Sequence, residues 1–330
     1  MRLRATIATL VLSVVLLGRT PACADTVEIE ATPIRGFAIG TGETRIGALE
    51  FVGGLELRSP DPEFGGISGF RLLSDRNRFL AVSDAGRWFA GTIARDAGGV
   101  PTAITEVRSG PLLGSAGNDK ISKRDGDCEG LAVVGNEALL SFERNHRMLR
   151  MRLKDGVPQG APRRFAGSLK KLALSYNKGI EAVAAVPAGS PIPAEFVAIA
   201  EETLDAAGNH RGFLLRGAKI SEFSIRRHDG YAVTDADFLP NGDLLVLERS
   251  FSFSSGPAMR LRRIVGPDIK PGALVDGVLL MEADARYQID NMEALSVSKD
   301  DSGGVRITLG SDNNFSALQR TLLLEFRLVE

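Results

Sequence analysis

The sequence predicts an all-β fold, a β-propeller of six four-stranded antiparallel blades, and three observations carry that expectation. A motif of one polar, one small and then alternating apolar residues recurs at intervals of roughly 50–60 residues, close to the about 40–50 of familiar propeller blades. Each copy breaks at a turn-forming cluster into two apolar runs of strand length. Helical periodicity is nearly absent from the chain.

The first copy, 67–84, opens on Ile67-Ser68-Gly69, turns at Arg76-Asn77 and closes on Asp84. The second, 128–144, opens on Cys128-Glu129-Gly130, turns at Gly135-Asn136 and reaches Glu143. In the third, 180–202, Glu181 and Glu201 flank Gly189-Ser190-Pro191. The fourth, 234–249, turns at Asn241-Gly242, a strong two-residue hairpin signal, between Asp235 and Glu248. The fifth, 292–312, sets Glu293 and Asp312 about Asp301-Ser302-Gly303-Gly304. Residues equidistant from a hairpin turn lie side by side at its open end. Each copy should therefore place its first polar residue beside its closing acid. That gives two columns: Ser68, Glu129, Glu181, Asp235 and Glu293, and Asp84, Glu143, Glu201, Glu248 and Asp312.

Runs such as Leu244-Leu245-Val246-Leu247 are apolar on both faces, as expected of strands sandwiched between blades. Segments 49–57 and 321–329 also read as strands, and their union as a terminal closing blade raises five repeats to six blades, with five or seven left open. No Pro/Ser-rich linker interrupts 25–330, which reads as a single domain.

Residues 1–24 carry the marks of an export signal. Arg2 and Arg4 precede an apolar run from Ile7 to Leu17, and Ala22-Cys23-Ala24 supplies a small–x–small cleavage site before Asp25. The run is too short to span a bilayer, so a periplasmic or secreted protein without a membrane span is expected. Cleavage removes Cys23 and leaves Cys128, which excludes an internal disulfide. It also takes Arg2, Arg4 and Arg19 from 40 basic side chains set against 41 acidic ones. A net acidic chain argues against nucleic acid or anionic lipid as a partner. One Trp and three Tyr argue against an aromatic sugar groove.

Like charges gathered in two columns raise one another's pKa and destabilise a fold unless cations neutralise them. Hard oxygen donors suit Ca²⁺, or Mg²⁺, rather than Zn²⁺. The expected metal ligands are Glu129, Asp235, Glu143, Glu201, Glu248, Asp84 and Asp312, with Glu181 and Glu293 as candidate general bases. Arg144 and Arg249 directly follow closing acids, Lys178 precedes Glu181, and Arg87 follows Asp84. These bases suit contact with a phosphate ester. Ser68, the one first-column position without an acid, is left for substrate. Asp125-Gly126-Asp127-Cys128-Glu129 lacks the spacing of an EF-hand but could contribute to a cation site at the start of its blade. The three histidines have no metal-ligand spacing, and Gly65-Gly66-Ile67-Ser68-Gly69 contains no nucleophile elbow. Cys128, between Asp127 and Glu129, is expected in the core.

The segments DCEGLAV, NKGIEAVA, TDADFLPNGDLLVLER and NMEALSV, with LGSDNNF near the end, resemble the bacterial phytase-like proteins labelled as having esterase-like activity of phytase. The resemblance runs from about Gly65 to Phe326 and does not extend to the classical calcium-dependent phytase propellers. It implies a β-propeller with repeated acids and a phosphodiesterase- or phytase-like activity. It also implies motif acids Glu129, Glu181, Asp235, Glu248 and Glu293, basic partners Lys178 and Arg249, and a terminal segment at Asp312-Asn313. Ser68 departs from the acidic pattern.

The function expected is therefore an exported, metal-dependent phosphoester hydrolase acting on a small phosphorylated or ester substrate. Two other readings fit the same residues: a non-catalytic propeller binding a ligand or protein around structural Ca²⁺, and a lactonase- or esterase-type propeller hydrolase.

Overall fold

In the computed structural model, which describes residues 24–113, 122–165 and 169–329, the repeated hairpins become the inner halves of five radial sheets. Blade 1 runs from the axis outward as Ile67–Leu72, Arg78–Ser83, Arg87–Arg95 and Pro101–Pro111, with Asp25–Thr26 on its outer edge. Blade 2 is Cys128–Val134, Glu137–Phe142, Arg147–Lys154 and Val157–Arg164. Blade 3 is Ile180–Ala185, Phe196–Leu204, His210–Arg216 and Lys219–Ile225, extended by the parallel strand Leu274–Val275. Blade 4 is Ala232–Phe238, Leu244–Ser252, Gly256–Ile264 and Val278–Ala283.

Blade 5 corrects the expected count of six. The fifth repeat supplies only three strands, Asn291–Lys299, Val305–Asp312 and Thr321–Leu328. Leu49–Arg58 pairs antiparallel with Thr321–Leu328 to become the fourth, and Glu30–Ile34 lies outside it. The terminal composite is thus the fifth repeat's own outer half, and the ring closes at five blades. No helix among the described residues is long and apolar enough to cross a membrane. The expected export signal, residues 1–24, falls outside the described residues up to residue 23.

Five apolar clusters fill the five interfaces between neighbouring blades. They account for strands that are apolar on both faces. Leu244 and Val246 enter the cluster shared with blade 3, whereas Leu245 and Leu247 enter the one shared with blade 5. The first strands line the axis, each against its two neighbours. They are pressed close at Gly130, where a Cβ would lie 2.5 Å from the Glu181 carbonyl oxygen and 2.5 Å from Ser141 Oγ.

The channel has a polar floor that sequence patterning misses. Arg71 of blade 1 reaches across the axis to Asp235 of blade 4 in a bidentate pair of 2.6 and 2.8 Å. The same guanidinium donates to the carbonyls of Val183 at 3.0 Å and Ala236 at 2.8 Å, on blades 3 and 4. Both side chains are buried. Burial raises the Asp235 carboxyl to about 6 against the opposing pull of Arg71.

Candidate metal centre

Every first strand carries a β-bulge at the same point of its ladder with the second strand. The register skips between Ile67 and Gly69, Cys128 and Gly130, Ile180 and Ala182, Val233 and Asp235, and Met292 and Ala294. A bulge leaves one residue unpaired and re-aims its side chain. The bulged residues are Ser68, Glu129, Glu181, Thr234 and Glu293. Across the ladder, Ser83, Phe142, Ala200, Glu248 and Ser311 pair just before the bulge. The residues that follow them, Asp84, Glu143, Glu201, Arg249 and Asp312, form the second column.

The fourth repeat is therefore displaced by one residue from its expected alignment. Thr234, not Asp235, is the bulged residue, and Arg249, not Glu248, stands in the closing column. Because strand side chains alternate, that single step sends both acids elsewhere. Asp235 goes to the channel floor with Arg71. Glu248 is fully buried within blade 4, held by Arg260 Nε at 2.6 Å and by Arg262. Neither joins a carboxylate cluster that could hold a metal ion.

Of the remaining column acids, Glu129, Glu143, Glu181 and Glu201 converge, whereas Asp84 and Asp312, also expected as ligands, and Glu293 stand in neither cluster. Oxygens of Asp127, Glu129 and Glu143 lie within 4.8 Å of one another, and so do oxygens of Glu143, Glu181 and Glu201. Glu143 belongs to both triads. Asp127 was legible only as one of the alternating acids before Glu129. It enters because the Glu143 N–H bonds the Asp127 carbonyl at 2.9 Å, at the mouth of the hairpin. Burial, reinforced by Glu143, Asp127, Asp84 and Glu293, lifts the Glu129 carboxyl far above its usual range. Burial and then Glu129 do the same to Glu181. Glu293 is raised to about 7 by burial, opposed by Arg249, and burial brings Asp312 to about 6. Burial leads each of these shifts, and the neighbouring carboxylates add to it.

Three basic side chains reach the acids and remain half-exposed. Arg144 Nε lies 2.6 Å from Asp127. Lys178 Nζ lies 3.2 Å from Glu201 and 2.7 Å from Glu202. Arg249 bridges Glu293 at 3.0 Å and Glu201 at 3.4 Å. Arg87 is engaged by Glu63 at 2.7 Å and by Ser109 Oγ at 2.9 Å. Ser68 is buried, and its hydroxyl donates to the Cys128 carbonyl at 2.6 Å. Thr234 repeats this staple, donating to the Met292 carbonyl at 3.0 Å. Each hydroxyl thus fastens its blade to the residue just before another blade's acidic bulge.

The histidines and the cysteine lie outside this chemistry. His228 bonds Asp276 at 2.9 Å, and His146 meets the Ser175 carbonyl at 3.0 Å. His210 is buried and bonds the Glu201 carbonyl at 3.1 Å, steadying that strand, and burial lowers its pKa to about 4. Cys128 is buried, with its thiol pushed well up by burial and by Glu129.

Comparisons with known proteins give one family. A model of the phytase-like proteins, described as esterase-like activity of phytase, matches residues 62–315. That span contains every bulge and both acid columns. A search of curated proteins finds no match. Among solved structures, the chain is similar to the PQQ-bound aldose sugar dehydrogenase of Streptomyces coelicolor, at 12% identity, covering 90% of this chain and 98% of that one, with a TM-score of 0.41. It is also similar to the glutaminyl cyclase of Myxococcus xanthus, at 11% identity, covering 81% of this chain and 92% of that one, with a TM-score of 0.42. At these scores neither likeness carries an argument. The family match spans most of the chain and takes in the whole acidic ring, and on it the chain belongs to the phytase-like family, esterase-like activity of phytase.

Proposed function

We propose that the protein is an exported, metal-dependent phosphoester hydrolase whose centre is the pair of carboxylate triads joined at Glu143. The observation that carries this reading is the arrangement of charge. Largely buried acids cluster together, and Arg144, Lys178 and Arg249, which pair with them, remain half-exposed.

The donor set fits a hard cation. All ligand atoms are carboxylate oxygens, and a spacing within 4.8 Å suits oxygens on opposite sides of an ion bound at about 2.4 Å. Asp127, Glu129 and Glu143 would hold one Ca²⁺ or Mg²⁺, and Glu143, Glu181 and Glu201 a second. A bound cation supplies Lewis-acid polarisation of the phosphoryl oxygens and a lowered pKa for coordinated water.

The chain's own residues do the rest. Arg249 and Lys178 neutralise and orient the phosphate as it enters from solvent. In the hydrolysis, water oxygen bonds to phosphorus and the phosphorus–oxygen bond to the alcohol breaks. One water proton passes to a carboxylate, which returns it to the departing alcohol oxygen. Glu293, held near neutrality by burial beside Arg249, is matched to take that proton at working pH. Glu181, the other carboxylate considered as a base, would be taken up by the second cation in this arrangement. The channel floor of Arg71 and Asp235 keeps the substrate at the mouth.

The test is hydrolysis of a panel of phosphomonoesters, phosphodiesters, lactones and carboxyl esters by the cation-loaded protein, repeated with chelator. Chelator-sensitive turnover of phosphoesters is expected. Turnover confined to uncharged esters, or none of any substrate, overturns the reading.

A further inference from the structure

The hairpin joining the second and third strands of blade 4 continues past Arg249 and stands above the acidic mouth. Its ladder is regular there, with Arg249 opposite Met259 and Phe251 opposite Pro257. Alternate residues of a strand share a face, so Phe251 projects from the same side as Arg249, whose guanidinium contacts Glu201 and Glu293. Phe251 is 63% exposed, and Phe253 at the tip is 102% exposed. Their rings pack edge to face, with centroids 5.5 Å apart. Large aromatic side chains left this open, away from the core, mark a surface that meets something. Two further aromatics stand at the same mouth. Tyr176 is exposed on the turn leading to Lys178, and its carbonyl accepts the Arg144 N–H at 3.2 Å. Phe315 is exposed and lies over Gly66, where a Cβ would meet both its ring and the Asp84 carboxylate.

We infer that Phe251 and Phe253 form an apolar wall that selects anionic esters carrying an aryl or similarly apolar organic group. This inference rests on the phosphoester reading for its anionic head. The anion sits at Arg249 and Lys178, and the organic group leaves the mouth along the face that Phe251 presents. One strand therefore supplies both the cation and the ring, two residues apart. A ligand bearing phosphates all round, with no apolar face, leaves this wall unused.

The experiment compares phenylphosphonate with methylphosphonate, two non-hydrolysable probes of like charge, by calorimetry on the Ca²⁺-loaded full chain. It is repeated with Phe251→Ala, Phe253→Ala and Phe251→Trp. Phe251 and Phe253 are solvent-exposed, so the variants fold. Aromatic packing of this kind predicts that phenylphosphonate binds about three- to tenfold tighter. The preference falls to near unity in Phe251→Ala and is retained in Phe251→Trp. Equal affinities in the wild type, no binding of either probe, or a preference unchanged by both alanine variants overturns the inference. So does a flat preference together with Phe253-dependent sedimentation on phosphatidylcholine/phosphatidylglycerol vesicles, or with a Phe253-dependent dimer mass. Those outcomes assign the hairpin to a lipid surface or to a second copy of the chain. Because the probes are not hydrolysed, failure of the hydrolase reading appears separately, as absent turnover.

Discussion

Arg71 and Asp235 define the chemistry that the channel withholds from the mouth. Both are buried, and the guanidinium is bonded to a carboxylate and to backbone carbonyls of blades 3 and 4, across the axis. Removing one partner of a buried pair strands the other charge, which costs about 3–5 kcal/mol. Asp235→Asn is therefore expected to lower stability by that order in denaturant unfolding while leaving Ca²⁺ binding unchanged. Loss of cation binding with stability intact would return Asp235 to the ligand set. The sequence offered no way to see this, because Asp235 looks like Glu129, Glu181 and Glu293 in a linear alignment. The difference lies in the Thr234 hydroxyl, which takes the bulged position and bonds the Met292 carbonyl. Glu143, Glu129, Glu181 and Glu201 were legible because their hairpins are symmetrical about clear turn signals.

The element that matters most is the bulged first strand. Five bulges in register turn a set of ordinary antiparallel ladders into a ring of inward polar side chains. Hairpin symmetry predicted that the two columns meet but not which residue of the fourth repeat joins each column. A slip of one residue exchanges the faces of a strand, so Arg249 replaced Glu248 and put a cation among the acids. The strands are also pressed together at Gly130, against the Glu181 carbonyl. Overpacking at such a point costs typically about 1–3 kcal/mol. Gly130→Ala should lose stability in that range and weaken cation binding as well, because the backbone it displaces carries Glu181. A thermal melt with and without Ca²⁺ checks both, and a variant as stable and as responsive as the wild type would remove the close-packing argument.

At the scale of the whole molecule, the fold class and the repeat were legible, and the blade count was not. Composition and periodicity give an all-β chain, but they cannot say that strands 49–58 and 321–328 complete a blade rather than add one. That depends on the pairing of Leu49–Arg58 with Thr321–Leu328. The pairing ties the two ends of the propeller together and completes the clusters that blade 5 shares with blades 4 and 1. Deleting 321–330 is expected to abolish the cooperative melt of the entire domain, not of one blade, as followed by circular dichroism. A truncated chain that still melts cooperatively would show that closure is dispensable. Whether two cation sites share the Glu143 carboxylate is decided by counting bound Ca²⁺ on the purified chain, in wild type and in Glu143→Gln. Two ions per wild-type chain are expected, with binding at both sites weakened in the variant by at least the roughly 10- to 100-fold that loss of an outer-shell partner costs. Retention of both ions at wild-type affinity after loss of the Glu143 carboxylate would contradict that sharing.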